Sequence, residues 1–412
     1  MSNREQLTDY FLHGVAASSP RLTMPAVLPT IAPPGRTIVL GCGKAAAEMA
    51  LVASEHLAGP VTGCVVTRHG HNVPHPPAAI EIIEARHPVP DGLSLEAGHR
   101  LLQLAAEAGP DDRVIFLISG GGSSLLCAPV DGLAFEGKQG ITDWLVRSGA
   151  GIEDINLVRR HLSRIKGGRL AAVAGARGAD LLTCVISDVA GDDPALIASG
   201  PSIGASFDPD AAIAILSRAG WDVTADLAAA IHENRPPQVP EHPVRVLATN
   251  ADALQAVSDR ARQEGWNVVN LGGDLTGHAA DTGRAHAAIA RAYCAKPGRH
   301  LLLSGGELTV LRASANGRGG PNLEYLTGLL GALLPSDPIE ALAGDSDGID
   351  GTEDNAGGYI SASWADPQAA AQALAANRSY DLFERLGGLI KTGPTRTNVN
   401  DIRMIAVEGP TP

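Results

Sequence analysis

The chain has 412 residues, of which 44% are hydrophobic and 3% aromatic, and its formal charge at pH 7 is −13. This length exceeds the size at which one core usually stops growing, so two domains are expected. The negative charge argues against nucleic acid or an anionic membrane as a partner. The sequence shows no signal peptide, no apolar stretch of transmembrane length and no CxxC pair among its five cysteines, which predicts a reduced, cytoplasmic location.

Short apolar runs alternate with helical stretches along the chain. In the first half these runs are β-branched and almost uncharged, as is typical of strands buried on both faces of a parallel sheet: RTIVL, VTGCVVT, AIEIIEA, RVIFLIS and DLLTCVIS. A proline-rich segment at residues 235–243 interrupts the alternation, which then resumes. The pattern predicts two Rossmann-like α/β domains with mainly parallel sheets and an interdomain cleft, comprising residues 1–240 and 241–412. Residues 1–36 can dock on either domain.

The first predicted strand leads into Gly41-Cys42-Gly43-Lys44 and then a helix. Glycines allow a tight turn there, and a helix N-terminus presents free N–H groups to an anion. A positive charge at a helix N-terminus opposes the helix dipole. The presence of Lys44 there is therefore better explained by contact with a phosphate or carboxylate than by a contribution to helix stability. The alternative is an ordinary turn with a solvated lysine. Gly41, Gly43 and Ala46 also match the dinucleotide-binding pattern G-x-G-x-x-A. That pattern requires an acidic residue at the end of the next strand, where this chain has Thr67-Arg68.

A second glycine-rich loop follows the strand RVIFLI and is a candidate phosphate cradle. It is composed of Ser119, Gly120, Gly121, Gly122, Ser123 and Ser124. It is not a Walker A loop, because the ending GK[ST] is absent, and a plain tight turn remains the alternative. The chain also lacks the zinc-peptidase motif HExxH.

A basic helix with the sequence INLVRRHLSRIKGG stands out in this acidic chain. Most of its charges suit a solvated face, whereas Lys166 and Arg160 are candidates for binding a carboxylate or phosphate. The segment SDVAGDDP follows another strand, and Asp188 lies where open α/β sheets place their sites. Asp188 and Asp192 are candidate Mg²⁺ ligands. Asp193 before Pro194 fits a helix N-cap equally well.

The second half contains further polar loops. Glu307 follows a strand and a glycine pair, which suggests phosphate binding, and Arg318 lies among glycines, where it can neutralise a phosphoryl group in transfer. Asp345 and Asp350 lie in an acidic loop that binds metal, contacts ribose hydroxyls or is solvated. The loop at residues 391–401 either caps a helix or binds an oxygen-rich ligand.

Eight segments in this order resemble the bacterial-type (class II) glycerate 2-kinase family, some members of which are labelled hydroxypyruvate reductase of tartrate utilisation. The segments are GCGKAAAEMA, SGGGSSLLCAP, INLVRRHLSRIKGGRLA, SDVAGDDPALIASGP, SGGELTV, GRGGPN, AGDSDGIDG and TGPTRTNVNDIR. The chain departs from many members at Pro321-Asn322-Leu323, where they have Arg-Asn-Gln, and at Arg396, where they have glycine.

The resemblance implies phosphorylation of D-glycerate to 2-phospho-D-glycerate with ATP and Mg²⁺, and it implies catalytic roles for Lys44 and Arg318. Asp188 is the candidate base, the Ser119–Ser124 loop the candidate ATP site, and Asn322 a candidate substrate ligand. A homodimer is one possibility. The alternative functions are an NAD(P)H-dependent hydroxypyruvate reductase and a non-catalytic protein that binds nucleotides or sugar acids.

Overall fold

The computed structural model describes residues 2–311 and 317–411. The strands are β1 (Thr37–Cys42), β2 (Val61–Arg68), β3 (Ile80–Ala85), β4 (Arg113–Ile118), β5 (Asp180–Ile186), β6 (Val244–Ala248), β7 (Asn267–Asn270), β8 (Arg299–Ser304), β9 (Ile339–Asp345), β10 (Gly357–Ser361), β11 (Leu389–Ile390) and β12 (Asp401–Glu408). The α-helices are α1 (Asn3–Ala17), α2 (Pro20–Thr23), α3 (Ala46–His56), α4 (Gly92–Glu107), α5 (Gly122–Leu125), α6 (Phe135–Arg147), α7 (Ile152–His161), α8 (Arg169–Gly175), α9 (Pro209–Arg218), α10 (Ala225–Glu233), α11 (Asn250–Gln263), α12 (Ala279–Arg291), α13 (Pro321–Leu330), α14 (Pro367–Ala375) and α15 (Ser379–Leu386). Short 3-10 helices span Ala190–Asp192, Ile197–Ser199 and Ala362–Trp364.

The chain forms two compact units. The first unit consists of residues 23–187 and 192–247, and the second of the described residues within 1–22, 188–191 and 248–412. The domain boundary expected near residue 240 stays a prediction; it falls in the irregular segment before β6. No helix in the described chain is both long and apolar enough to cross a membrane.

The sheet of the first unit has the strand order β3-β2-β1-β4-β5-β6. Strand β1 pairs in parallel with β2 and β4, and the pairs β2–β3 and β4–β5 are also parallel. The order reverses between β1 and β4, and in open α/β sheets ligands bind outside the carboxyl ends of the strands at such a point. Every residue of β1 is buried, which agrees with the uncharged strand predicted from the sequence.

A group of helices in the first unit packs around its own small core. Helices α6, α7, α9 and α10 bury aliphatic side chains against one another, among them Ile141, Leu145, Val158, Leu216 and Ile231. Each such side chain contributes roughly 1.5–3 kcal/mol of burial free energy. This core fixes the position of α6 and α7, whose cationic side chains enter the candidate site described below.

The sheet of the second unit is mixed and has the order β11-β10-β9-β12-β8-β7. Only β7 and β8 pair in parallel among its described strands, and the other four pairs are antiparallel. The α/β class is confirmed, but this sheet differs from the expectation of mainly parallel strands. The prediction failed because β12 lies between β8 and β9 and is apolar on both faces. Such a run looks the same in the sequence as a buried parallel strand. Ile405 and Val407 join the core formed by α12 and α13, while Ile402 faces α1.

Helix α1 belongs to the second unit, where it packs on α11 and β9. Gly14 allows a close approach: a Cβ at this position would lie 2.9 Å from Val257 Cγ2 and 3.0 Å from Ile402 Cδ1. The N-terminal segment is thus part of the second unit up to residue 22, and residues 23–36 belong to the first.

Candidate functional site

The two glycine-rich loops predicted from the sequence are hydrogen-bonded to each other at the ends of β1 and β4. The amide of Ser119 donates to the Cys42 carbonyl (3.0 Å) and the amide of Lys44 donates to the Gly120 carbonyl (2.9 Å). The Ser119 hydroxyl accepts a hydrogen bond from the amide of Ala45 (3.0 Å) at the start of α3. The structure therefore brings the candidates of the first loop into one site with those of the second.

The close approach of the loops requires glycine at two positions. Gly43 has φ of 126°, and a Cβ there would lie 2.2 Å from the Ser119 hydroxyl oxygen. A Cβ on Gly41 would lie 2.6 Å from the carbonyl oxygen of Leu117. Neither distance is attainable for a real side chain, so the two glycines set the geometry of the paired loops.

The side chain of Lys44 lies against the second loop. A Cβ built on Gly121 would be 3.3 Å from Lys44 Cγ and 3.2 Å from the ring of His87. Lys44 is half-buried and directly precedes Ala45, the N-cap residue of α3. The sequence analysis did not identify His87 as a candidate. Its position just after β3 places it at the same edge of the sheet as the two loops, and this was the one feature that could have indicated it.

Ser123 and Lys166 connect the second loop to the basic segment. The Ser123 hydroxyl bonds that of Ser199 (2.9 Å), and Lys166 Nζ donates to the carbonyls of Ser123 (2.7 Å) and Leu126 (3.4 Å). Burial, reinforced by the nearby ammonium of Lys138, lowers the pKa of Lys166 to about 7. Lys166 therefore ties the second loop to the basic segment.

Arg160 lies beside the turn that follows Lys166. Its Cδ is 3.5 Å from the position of a Cβ on Gly167, and its Nε has no hydrogen-bond partner among the described residues. Burial lowers the pKa of its guanidinium, and the charge of Asp193 opposes this effect. The Nε–H group of Arg160 can therefore donate a hydrogen bond to a ligand.

Arg318, in the second unit, is held by carboxylates. Its Nη1 donates to Asp381 (2.7 Å), its Nη2 donates to Glu353 (3.1 Å), and its guanidinium lies 4.4 Å from the centre of the Tyr380 ring. Arg378 also pairs with Asp381. The hydrogen bond to Glu353 raises the pKa of Arg318, and the charges of both carboxylates add to that effect, so the group stays cationic.

Asp188 groups with the second unit and is fixed by two asparagines. Asn398 Nδ2 donates to its carboxylate (3.0 Å), and Asn400 Nδ2 donates to its backbone carbonyl (2.7 Å). The loop at 391–401 is therefore a partner of Asp188, and its richness in hydrogen-bonding side chains was the available signal. The two asparagines set the orientation of this candidate base.

Asn322 and Asp350 form a buried network at the start of α13. The amides of Asn322 and Leu323 donate to the two Asp350 oxygens at 2.9 Å each. Asn322 Nδ2 donates to Asp350 (3.3 Å) and Asp401 (2.7 Å), and Asp401 also pairs with Arg403. Burial raises the pKa of Asp350 to about 7 and raises that of Asp401. This arrangement favours structural roles for Asp350 and Asn322 over the predicted roles in metal and substrate binding.

The remaining candidates are dispersed. Asp192 belongs to the first unit, Asp345 accepts the Asp347 amide (2.9 Å), and Glu307 is exposed. In the part of the chain that the structure describes, no three His, Cys, Asp or Glu side chains are grouped to hold a metal ion. A Mg²⁺ site here would resemble those that use one or two carboxylates, water and substrate phosphates.

Family models match both halves of the chain. The model described as "Domain of unknown function (DUF4147)" matches residues 6–233, and that described as "MOFRL family" matches residues 300–401.

Curated relatives match nearly the whole chain. A protein of Agrobacterium vitis with the provisional name hydroxypyruvate reductase is 42% identical over 426 residues, covering 99% of this chain and 95% of that protein. The D-glycerate 2-kinase of Thermotoga maritima is 36% identical over 381 residues, covering 89% of each. The crystal structure of a glycerate kinase from Thermotoga maritima superposes with a TM-score of 0.85 at 33% identity, covering 98% of this chain and 99% of that one.

Proposed function

Because this chain belongs to the DUF4147–MOFRL family that includes glycerate 2-kinases, we propose that it transfers the γ-phosphoryl group of ATP to the 2-hydroxyl of D-glycerate. The P–O bond to the acceptor forms as the bond to the β-phosphate bridging oxygen breaks. The products are 2-phospho-D-glycerate, ADP and the proton released by the hydroxyl.

The observation that carries the proposal is the pair of interlocked glycine loops at the ends of β1 and β4. They occupy the point of the sheet where strand order reverses, and backbone amides in such loops are suited to phosphate. Lys44 lies directly on the second loop, so a cation accompanies the predicted phosphate cradle.

The roles assigned to side chains follow from their charges. Phosphoryl transfer proceeds through a loose transition state, and an enzyme accelerates it mainly by positioning and by balancing charge. We assign charge balance to Lys44 and to Arg318, whose guanidinium stays charged, and acceptance of the hydroxyl proton to Asp188. Lys166 and Arg160 serve binding rather than the chemical step.

Mg²⁺ fits the donor set only in part. We assign it to Asp188 rather than to Asp350, because Asp350 already accepts three N–H groups. When bound, Mg²⁺ would neutralise phosphate charge. The protein would then orient a carboxylate toward an ion carried mainly by ATP.

One assay tests the proposal directly. Purified protein is supplied with D-glycerate, ATP and Mg²⁺, the release of ADP is followed, and the product is identified by ³¹P NMR. The expected result is stoichiometric ADP and 2-phosphoglycerate. Formation of 3-phosphoglycerate would correct the position, and no ADP release would overturn the kinase.

A parallel assay addresses the reductase named for some relatives. The protein is supplied with hydroxypyruvate and NADH or NADPH without ATP, and nicotinamide absorbance is followed. Strand β2 ends at Arg68, where a dinucleotide fold usually places an acidic residue, so we expect no oxidation. Turnover here without ADP release in the first assay would favour the reductase.

A further inference from the structure

A cavity of about 350 Å³ lies in the first unit beside the second glycine loop. Ser123, Ser124, Cys127 and Lys166 form part of its wall, and the rest comes from the segment 88–90 and from α6 and α7. Its volume falls within the range of about 300–1,000 Å³ that is usual for small-molecule sites. The sequence motifs pointed to Ser123, Ser124 and Lys166 but assigned no role to the cavity residues Val89, Lys138, Val146 and Arg159.

Four cationic side chains line the cavity, namely Lys138, Arg147, Arg159 and Lys166. Lys138 is only 5% exposed, and its Nζ has no hydrogen-bond partner among the described residues. Burial lowers the pKa of Lys138, and the side chain of Cys127 partly opposes this. The single acidic residue in the lining, Asp143, is exposed. A buried ammonium without a partner costs stability, which indicates that a bound anion completes the site.

The opposite part of the lining is apolar. It contains Pro88, Val89, Pro90 and Val146, and the two valines are unusually exposed for their type, at 46% and 56%. A ligand with a flat apolar portion would cover them. The exposed valines therefore lie at the mouth of the cavity, whereas Lys138 and Lys166 are buried in its interior.

We propose that this cavity binds the nucleoside triphosphate, with the base against Val89 and Val146 and the phosphate chain directed to Lys138, Arg159 and Lys166. This inference rests on the function proposed above. The cavity is larger than a three-carbon acid needs, and its exposed valines offer nothing to the hydroxyl groups of glycerate. Its cations outnumber the charge of a monocarboxylate but match that of a triphosphate.

The second glycine loop links the cavity to Lys44. Ser123 and Ser124 line it, while Gly121 of the same loop lies under the side chain of Lys44. A nucleotide that enters with its base at the mouth can extend its terminal phosphate along this loop toward Lys44.

The test measures binding of a non-hydrolysable ATP analogue by calorimetry to wild type, Val146→Asp and Lys138→Met. Val146→Asp places a carboxylate at an exposed position that the fold does not need, and Lys138→Met removes the buried charge with similar volume. We expect each to weaken the analogue at least about tenfold, with the KM for D-glycerate within about twofold of wild type. The matched control, Leu334→Asp, changes another exposed apolar side chain and should bind the analogue as wild type does.

Each outcome has a distinct meaning. Unchanged analogue affinity in folded Val146→Asp overturns the proposal, and so does a raised KM for glycerate with normal analogue binding. If Lys138→Met fails to fold, Val146→Asp decides alone. Analogue binding that these substitutions weaken, in a wild type that phosphorylates no glycerate, would retain the nucleotide site and reject the proposed function.

Discussion

Gly43 and Ser119 are in such close contact that a single added carbon on Gly43 would lie 2.2 Å from the Ser119 hydroxyl oxygen. This contact joins the two loops that follow β1 and β4, and the same hydroxyl accepts the amide of Ala45. The geometry of the proposed phosphate cradle therefore depends on the absence of a side chain at one residue.

Gly43→Ala is expected to destabilise the protein by about 2–5 kcal/mol, because it combines a steric clash with a positive φ that alanine disfavours. Urea unfolding measures the loss, and kinase activity should fall with it. Gly70→Ala is the matched control, since Gly70 also has positive φ but no atom within 4 Å of the added carbon; it should cost about 1 kcal/mol. Equal losses in the two variants would refute the role of the contact.

Lys44→Ala is expected to lower kcat/KM at least about 100-fold, as removal of a group that stabilises transition-state charge does. The free energy of unfolding should change by no more than about 1 kcal/mol, because the substitution leaves the backbone contacts of the loop intact. Lys296→Ala, at an exposed lysine, controls for loss of charge alone. Unchanged turnover in Lys44→Ala would remove Lys44 from the mechanism.

The first sheet could be predicted from the sequence because its central strands β1 and β4 are buried on both faces and are short apolar runs. The same property concealed the second sheet. β12 is also covered on both faces, so its apolar run resembles a parallel strand, and only the long-range pairing with β8 and β9 reveals its direction. Its buried Arg403 gave no strand signal, because the partners of this residue, Asp401 and the Gly305 carbonyl, come from tertiary structure.

The glycine loops of the site were evident in the sequence, whereas their pairing was not. Nothing in the local pattern shows that Lys138, on an amphipathic helix, turns its side chain into a cavity rather than toward solvent. At Arg396 the sequence comparison identified an unusual residue, and the structure supplies the physical context. Many family members have glycine there, and the structure gives Arg396 a φ of 62°, a conformation in which glycine has no steric penalty.

Arg318→Lys is expected to lower turnover at least about 100-fold, although the charge is retained, because lysine lacks the planar fork of donors. Arg378→Lys is the matched control, since Arg378 shares the Asp381 carboxylate and has no proposed part in the reaction. The unfolding midpoints of both variants should stay near wild type, because these ion pairs are solvent-accessible. A lowered midpoint with normal turnover in Arg318→Lys would make this arginine purely structural.

Lys166 gives the protein a pH-dependent stability whose sign is defined. Its pKa is lowered from 10.5 to about 7 in the folded state, chiefly by burial, so the folded chain binds the proton less tightly than the unfolded chain does. The resulting penalty is fully present below about pH 7 and disappears as the pH rises toward about 10.5. That shift corresponds to at most about 5 kcal/mol, and the hydrogen bond to the Ser123 carbonyl returns part of it.

Lys166→Met should therefore raise the free energy of unfolding by about 1–3 kcal/mol near pH 6, with the gain shrinking at about pH 9. Urea unfolding of both proteins at the two pH values measures the difference. Lys391→Met is the control, because Lys391 is exposed and pairs with Asp354, so its substitution should give no stabilisation near pH 6. A gain for Lys166→Met that is equal at both pH values would show that the buried ammonium is not its source, because relief of that charge is the only part of the effect that titrates in this range.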